Sequence, residues 1–445
     1  PSPDSVEMKY MLERRRALGG FIPARVVEPA TLDVPKRENF AEFFTAGKTE
    51  ISTTTAFGTI LRVMLRHKGF SKNLVPIIPD EARTFGLDPL FREIGIYSPK
   101  GQLYEPVDSN TLSYYHEAKD GQILEEGISE SGAMSSFLAA GTSYATNGVP
   151  MVPFYIYYSM FGPQRVGDLF WLAGDIRAKG FLLGATSGRT SLNGEGLQHQ
   201  DGHSLLHAST IPTCLPYDPA FTFELAIIIA DGLRRMFVEN EDIFYYLALY
   251  NENHAMLAMP PGVEDGIVKG LYKFKSGAEG KIKAHIFGSG SIMQSALKAQ
   301  TILAEKYGVS ADVWSATSYK LLRTDAIRCQ RWNMLHPTEP AKKSYLDNLL
   351  AKEQGAFVAV SDNIRTVPDQ IAPWVPGGLF TLGTDGFGRS DTRGRLRRFF
   401  AVDVESTVIG TLYALAEKGL IERKVVAQAI KDLGVDPEKV QPEIV

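Results

Sequence analysis

Three histidines recur at intervals of four, His199, His203 and His207. On one helix they would share a face able to hold zinc, as in an HExxH site. Two features work against that geometry: Gln200 stands where the catalytic glutamate belongs, and Gly202 falls inside the helix. The competing reading is a polar loop, because Thr190–Gly196 ahead of the histidines is turn chemistry. A loop following the strand-like run at 181–185 is also where an α/β protein displays ligand-handling side chains. Carboxylates form the second group. Asp80 and Glu81 follow the apolar run ending at Ile78, Glu130 opens a helical pattern that runs to Tyr144, and Glu195 lies near the histidines. Acids at strand ends and helix N-termini are placed to meet a ligand at the edge of a parallel sheet. For Glu130 the plainer role is a first-turn acid that only complements the helix dipole.

Glycines and arginines offer less. Gly288-Ser-Gly-Ser291 sits between a strand pattern and a helix pattern, where a phosphate cradle would lie, but lacks the third glycine of GxGxxG and the lysine of a Walker motif. It reads as a strand-to-helix turn. Asp231-Gly232 with Asn251 and Asn253 has the residue types of a GDG-to-Asn magnesium motif; Ala230 replaces its first glycine and the spacing is short, so no metal is expected there. Five arginines between Arg389 and Arg398 read as a solvated helix face or as a dock for an acidic partner or substrate.

The elements that must carry these groups alternate. Phe57, Ile60, Leu61, Met64 and Leu65 recur at helical spacing behind Ser52 or Thr53 as N-cap, and Leu74–Ile78 follows as a short apolar strand. Val149–Tyr158 predicts a strand, Val166 to Ile176 a helix, Gly180–Ala185 a strand, Leu225–Phe237 a helix and Phe244–Leu249 a strand. Uniformly apolar strands between helices imply a parallel sheet buried on both faces. A break at Pro260-Pro261-Gly262 and a lysine-rich stretch to Lys283 mark a boundary near residue 265. Beyond it, strands at 285–287 and 312–315 flank a helix over Ile292–Tyr307, which predicts a second, smaller α/β domain. Residues 1–45 read as a short helix through Met8–Leu18 followed by an extended, proline-interrupted linker.

Bulk properties agree with a globular chain of two or three domains. The 445 residues are 44% hydrophobic and 22% charged, and 47 Lys+Arg against 51 Asp+Glu leave a net charge of −4. Such a balance offers no general attraction to nucleic acid or anionic membranes. The longest aliphatic run, Leu225–Ala230, is far short of the ~20 residues of a membrane span. Two distant cysteines, Cys214 and Cys329, suggest neither a disulfide framework nor a cysteine metal site, so a reducing cytoplasmic setting is expected. The chain starts at Pro1 without a basic-then-apolar leader, and that start reads as a cut.

Longer runs carry a resemblance. Pro76–Gly86 (PIIPDEARTFG), Glu126-Gly-Ile-Ser-Glu130, Pro153–Gly162 (PFYIYYSMFG), Thr186-Ser-Gly-Arg189, Gly194–His199 (GEGLQH), Arg331–Pro337 (RWNMLHP) and Gly383–Asp391 (GTDGFGRSD) together resemble the homodimeric bacterial pyruvate dehydrogenases. These are the thiamine-diphosphate-dependent decarboxylating components of the pyruvate dehydrogenase complex. The resemblance extends over essentially the whole chain, while family members are about twice as long, so the chain resembles their C-terminal half.

That resemblance implies an aminopyrimidine-binding, transketolase-like parallel-sheet domain over 46–264 and a transketolase C-terminal-like α/β domain over 265–445. It implies that Glu130 hydrogen-bonds the aminopyrimidine ring nitrogen and that Phe161 stacks on the ring. Ile128 would pack where the cofactor bends, Asp80 and Glu81 would line the pocket, Tyr158 and His199 would face the reacting carbon, and Glu195 would support the active-site loops. Magnesium and the diphosphate would be held by the N-terminal half, so this chain alone is expected to bind thiamine diphosphate weakly. The implied partners are pyruvate, a second copy of the chain and the dihydrolipoyl acyltransferase of the complex. A transketolase-like ketol transferase, a zinc hydrolase on His199, His203 and His207, and a non-catalytic scaffold are the alternative readings.

Overall fold

Short, uniformly apolar segments build the first sheet. The computed structural model describes residues 1–18, 20, 30–79, 82–107 and 115–444. Leu74–Ile78 (β1), Leu124–Glu125 (β2), Val152–Tyr158 (β3), Phe181–Ala185 (β4), Cys214–Tyr217 (β5) and Phe244–Ala248 (β6) pair in the order β2-β1-β3-β4-β6-β5. All these pairings are parallel. Every residue of β1, β4, β5 and β6 is buried, because helices cover both faces and leave no side for polar residues.

Helix starts are written locally. Ser52 Oγ accepts the Thr55 N–H to cap α2 (Thr53–Leu65), and Ser129 Oγ accepts the Gly132 N–H to cap α3 (Glu130–Thr146). Proline opens α4 (Pro163–Asp175), where its missing N–H costs nothing. Since all six strands run the same way, the segments 126–130, 158–161 and 186–189 and residues Asp218 and Tyr250 line one edge of the sheet. That edge is where a parallel sheet presents its ligand-handling groups.

The second sheet is mixed. Tyr272–Lys275 (β7), Ile282–Gly288 (β8), Val309–Ser315 (β9), Ala356–Val360 (β10) and Leu379–Leu382 (β11) lie in the order β11-β10-β8-β9-β7. Only β7 runs antiparallel. Met293–Tyr307 (α7) and Tyr319–Leu335 (α8) connect its strands, and Arg393–Phe400 (α9) and Val404–Glu417 (α10) follow β11. Composition over 393–417 would permit a membrane span, but 67% of its most apolar 18 residues are buried inside the protein and it breaks at Ala401, whose φ is +58°. It is core.

The linker reading of residues 1–45 needs correction. Val6–Ala17 (α1) is helical with no buried residue, yet Arg37–Phe44 forms a 3-10 helix that buries Phe40 completely. Phe40 thus ties the 37–44 segment to the core, where the sequence suggests a linker.

A buried polar seam joins the two sheets. Glu224, in the first turn of Thr222–Phe237 (α6), accepts the N–H groups of Ala220 and Phe221 at 2.5 and 3.1 Å. From the second sheet it accepts the hydroxyls of Tyr272 and Ser315, both at 2.6 Å. In return, Lys320 of α8 donates to the carbonyls of Ile211 and Cys214 in the first domain. Asp218 accepts the Tyr250 hydroxyl at 2.5 Å and its N–H reaches the Thr317 carbonyl at 2.8 Å.

Burial pushes the Asp218 carboxyl up to about 7, with the charges of Asp362 and Glu224 adding to the shift. The folded chain then binds more protons than the unfolded chain between about pH 4 and 7, so this group's stabilisation falls as pH rises through that window. Asp218→Asn is expected to remove that loss, on the order of 4 kcal/mol at most. Urea unfolding of both proteins at pH 5 and pH 8 measures it, and an unchanged difference between them across the two pH values would refute it.

Candidate active site

Glu130 is the first residue of α3 and only 8% exposed. The backbone carbonyl of Glu130 lies 3.4 Å from the Tyr155 hydroxyl. Burial, followed by the charges of Glu130 and Glu126, raises the Tyr155 phenol and keeps it neutral. Across a narrow gap, Tyr158 ends β3 and the chain turns through Ser159–Phe161. Gly162 follows because the turn folds back on Tyr157, whose ring would lie 2.3 Å from a Cβ there.

Three rings converge beyond this turn. Phe161 and Tyr158 are 6.0 Å apart, and the His199 ring lies edge-on to both, at 5.2 and 5.5 Å. Phe85 backs Tyr158 at 5.6 Å. His199 Nδ1 is 3.4 Å from Glu195 Oε2 but forms no aligned hydrogen bond. Loop geometry thus brings Glu130, Tyr158, Phe161, Glu195 and His199 together. Ile128 projects from the preceding loop, 81% exposed. Asp80 and Glu81 lie outside the described residues.

Arg165 was not foreseen from the sequence. Its guanidinium lies 4.1 Å over the Phe161 ring and its Nη1 is 3.6 Å from Glu130 Oε2. The available signal was spacing: Arg165 follows Phe161 by four positions across the start of α4. The Arg165 guanidinium is thus itself the flat, hydrogen-bond-donating group that lies over Phe161 and meets the Glu130 carboxylate, which shows the kind of group these two side chains address.

The zinc arrangement fails on geometry. The helix needed to align three histidines begins only at Ser204, within Ser204–Ser209 (α5). His203 and His207 contact edge-on at 5.4 Å, whereas His199 turns to the aromatic cluster. His203 also faces Arg189 Nη2 at 3.3 Å, and burial, with that charge adding, lowers its imidazole. Another grouping, His285, Asp312 and Glu353, already holds a cation, because Lys273 Nζ sits 2.7 and 2.9 Å from the two carboxylates.

Asp231, mid-way along α6, pairs with Arg234 at 2.7 Å. The turn at Gly288–Ser291 meets Tyr250 and Ser191 at the seam. The arginine run is not a solvated face. Arg397 pairs with Glu252, Arg393 Nε donates to the Ser191 carbonyl at 2.7 Å, and Arg389 stacks on Phe399 at 4.8 Å. Only Arg395, 80% exposed, faces water as the charge pattern suggested.

Known proteins share both the sequence and the architecture. Residues 32–256 match the family described as pyruvate dehydrogenase E1 component middle domain, and residues 270–403 match the transketolase-like C-terminal domain. The pyruvate dehydrogenase E1 component of Pseudomonas aeruginosa is 52% identical over 447 residues, covering 99% of this chain and 50% of that protein. Its counterpart in Escherichia coli K12 is 49% identical over 443 residues, with coverage of 99% and 50%. The chain spans about half the length of these curated relatives. Transketolase from Leishmania mexicana superposes with a TM-score of 0.64 at 16% identity, over 93% of this chain and 51% of that one. A structure described as a split gene transketolase, inactive beta4 tetramer, gives 0.54 at 15% identity, over 82% of this chain and 99% of that one. At such identities the two structures establish a shared transketolase-like α/β fold. The sequence matches go further: the chain belongs to the pyruvate dehydrogenase E1 component family, joining that family's middle domain to a transketolase-like C-terminal domain.

Proposed function

We propose that this chain is the C-terminal half of the decarboxylating component of a pyruvate dehydrogenase complex. It would serve oxidative decarboxylation of pyruvate and reductive acetylation of lipoyl groups on the partner acyltransferase, as a homodimer in the cytoplasm. The observation that carries this reading is that the nearly buried Glu130 carboxylate and the Phe161 face converge on one flat hydrogen-bond donor, here the Arg165 guanidinium, beside the ring of His199. Thiamine diphosphate, with magnesium bound by an N-terminal half, would supply the electron sink for breaking the carbon–carbon bond of pyruvate.

Each side chain then has a task. Glu130 would hydrogen-bond the aminopyrimidine ring nitrogen and hold the proton there, and Phe161 would offer the ring a flat apolar face. Ile128, exposed in this chain, would pack where the cofactor bends. Tyr158 and His199 would face the reacting carbon, and Glu195, 3.4 Å from His199, would support the active-site loops.

The test uses the full-length protein carrying this sequence. Carbon dioxide release from pyruvate, dependent on thiamine diphosphate and magnesium, is expected; ketol transfer from a ketose phosphate instead would favour the transketolase reading. His199→Ala is expected to slow lipoyl acetylation by about 10²-fold and to leave cofactor affinity nearly unchanged. Loss of bound zinc on that substitution, read by atomic absorption, would restore the metal reading.

A further inference from the structure

The loop at 186–203 leaves β4, carries Glu195 and His199, and returns into α5. Its root is held by one residue of the other domain. Asp362, just beyond β10 and 1% exposed, accepts the Thr190 N–H at 2.8 Å, the Ser191 N–H at 3.0 Å and the Ser191 hydroxyl at 2.5 Å. The Asp362 carbonyl accepts the Arg189 N–H at 3.3 Å. Backbone donors of three consecutive loop residues thus end on a single aspartate. Arg397 stands behind this contact, with Nε 3.3 Å from Thr190 Oγ1 and its guanidinium paired to Glu252.

The returning leg of the loop is tied separately. Gln200 donates to the Leu192 carbonyl at 2.6 Å and accepts the Arg389 N–H at 2.7 Å. Gly194 N–H reaches the Asp391 carbonyl at 3.2 Å, and Ile364 N–H reaches the Gly202 carbonyl at 2.8 Å. Arg389 and Asp391 belong to the Gly383–Asp391 run, a conspicuous motif that contributes nothing to the ring cluster around His199.

We propose that the second domain positions the catalytic loop, with Asp362 as the positioning residue and the Gly383–Asp391 segment as the second tie. An apolar contact could glue the domains equally well. Burying a carboxylate is costly, and what directional hydrogen bonds add is a fixed backbone orientation, which a reacting side chain several residues further on requires. The inference rests on the reading of His199 as facing the reacting carbon.

The experiment takes the full-length enzyme with Asp362→Ala, Asp362→Asn and Ser191→Ala. It measures lipoyl acetylation rates, the Michaelis constant for thiamine diphosphate, and hydrogen–deuterium exchange of the 186–203 segment. Asp362→Ala is expected to lower kcat by about 10²-fold, to leave the Michaelis constant nearly unchanged, and to raise exchange at 189–203 while the second sheet keeps its protection. Asparagine keeps one acceptor oxygen, so Asp362→Asn is expected to recover most of the rate. Ser191→Ala, which removes one of the three carboxylate contacts, is expected to raise exchange only at the loop root. Unchanged loop exchange in all three variants would overturn the proposal, as would loss of protection throughout the second domain in Asp362→Asn. If the unmodified enzyme does not turn over pyruvate, the functional reading fails while the exchange measurement still decides whether Asp362 holds the loop.

Discussion

Glu130→Gln is expected to lower pyruvate turnover by the full-length enzyme at least about 10²-fold while leaving its thermal stability nearly unchanged. The amide keeps the size and one acceptor of the carboxylate, but it cannot take up and release the proton that the reaction moves. Stability has little reason to change. The helix that Glu130 begins is capped by Ser129, and its ionic partner Arg165 is 54% exposed, so the lost pair is worth under about 1 kcal/mol. Carbon dioxide release and a melting curve on the same preparation separate the two effects. Near-normal turnover would refute the role of Glu130, and a collapse of the melting temperature would make it a structural acid.

Gly188→Ala is expected to be the most damaging small change near the site, at about 3 kcal/mol or more. Gly188 has φ +91°, a conformation that L residues avoid, and a Cβ there would lie 2.3 Å from Asp362 Oδ2 and 2.9 Å from the Tyr250 ring. Neither neighbour can retreat, because Asp362 is fixed by donors from Thr190 and Ser191 and Tyr250 by Asp218. Gly194→Ala provides the comparison: its φ is +84° but nothing lies within 4 Å of its Cβ, so only backbone strain of about 1 kcal/mol remains. Equal losses for the two variants in denaturant unfolding would show that the contact with Asp362 is not the cause.

Much of the first sheet was legible because its strands are apolar runs bounded by helices with clear spacing. Leu74–Ile78 and Phe181–Ala185 are of this kind, and both are strands. Cys214–Tyr217 carries Pro216, which argues against a strand, and Leu379–Leu382 is a half-buried edge strand without a continuous buried run to betray it. Glu130 was visible as an acid opening a helix. Asp218, Glu224 and Asp362 were not, because an acid looks alike in sequence whether it is solvated or buried, and Asp362 meets Thr190 across 172 positions. The arginines misled for the same reason. Charge density suggested water, whereas Arg397 faces Glu252, 145 positions earlier.

The polar seam has a consequence for how the molecule comes apart. If the second domain unfolded alone, Glu224 would keep its two backbone donors but lose the hydroxyls of Tyr272 and Ser315. The carbonyls of Ile211 and Cys214 would lose the ammonium of Lys320. Water would take the place of each lost partner, so each bond costs only its net worth, about 0.5–1.5 kcal/mol and somewhat more where a charge is involved, and a half-unfolded intermediate loses several at once. The two sheets are therefore expected to melt together, and a domain exchange is expected to need the other's edge rebuilt.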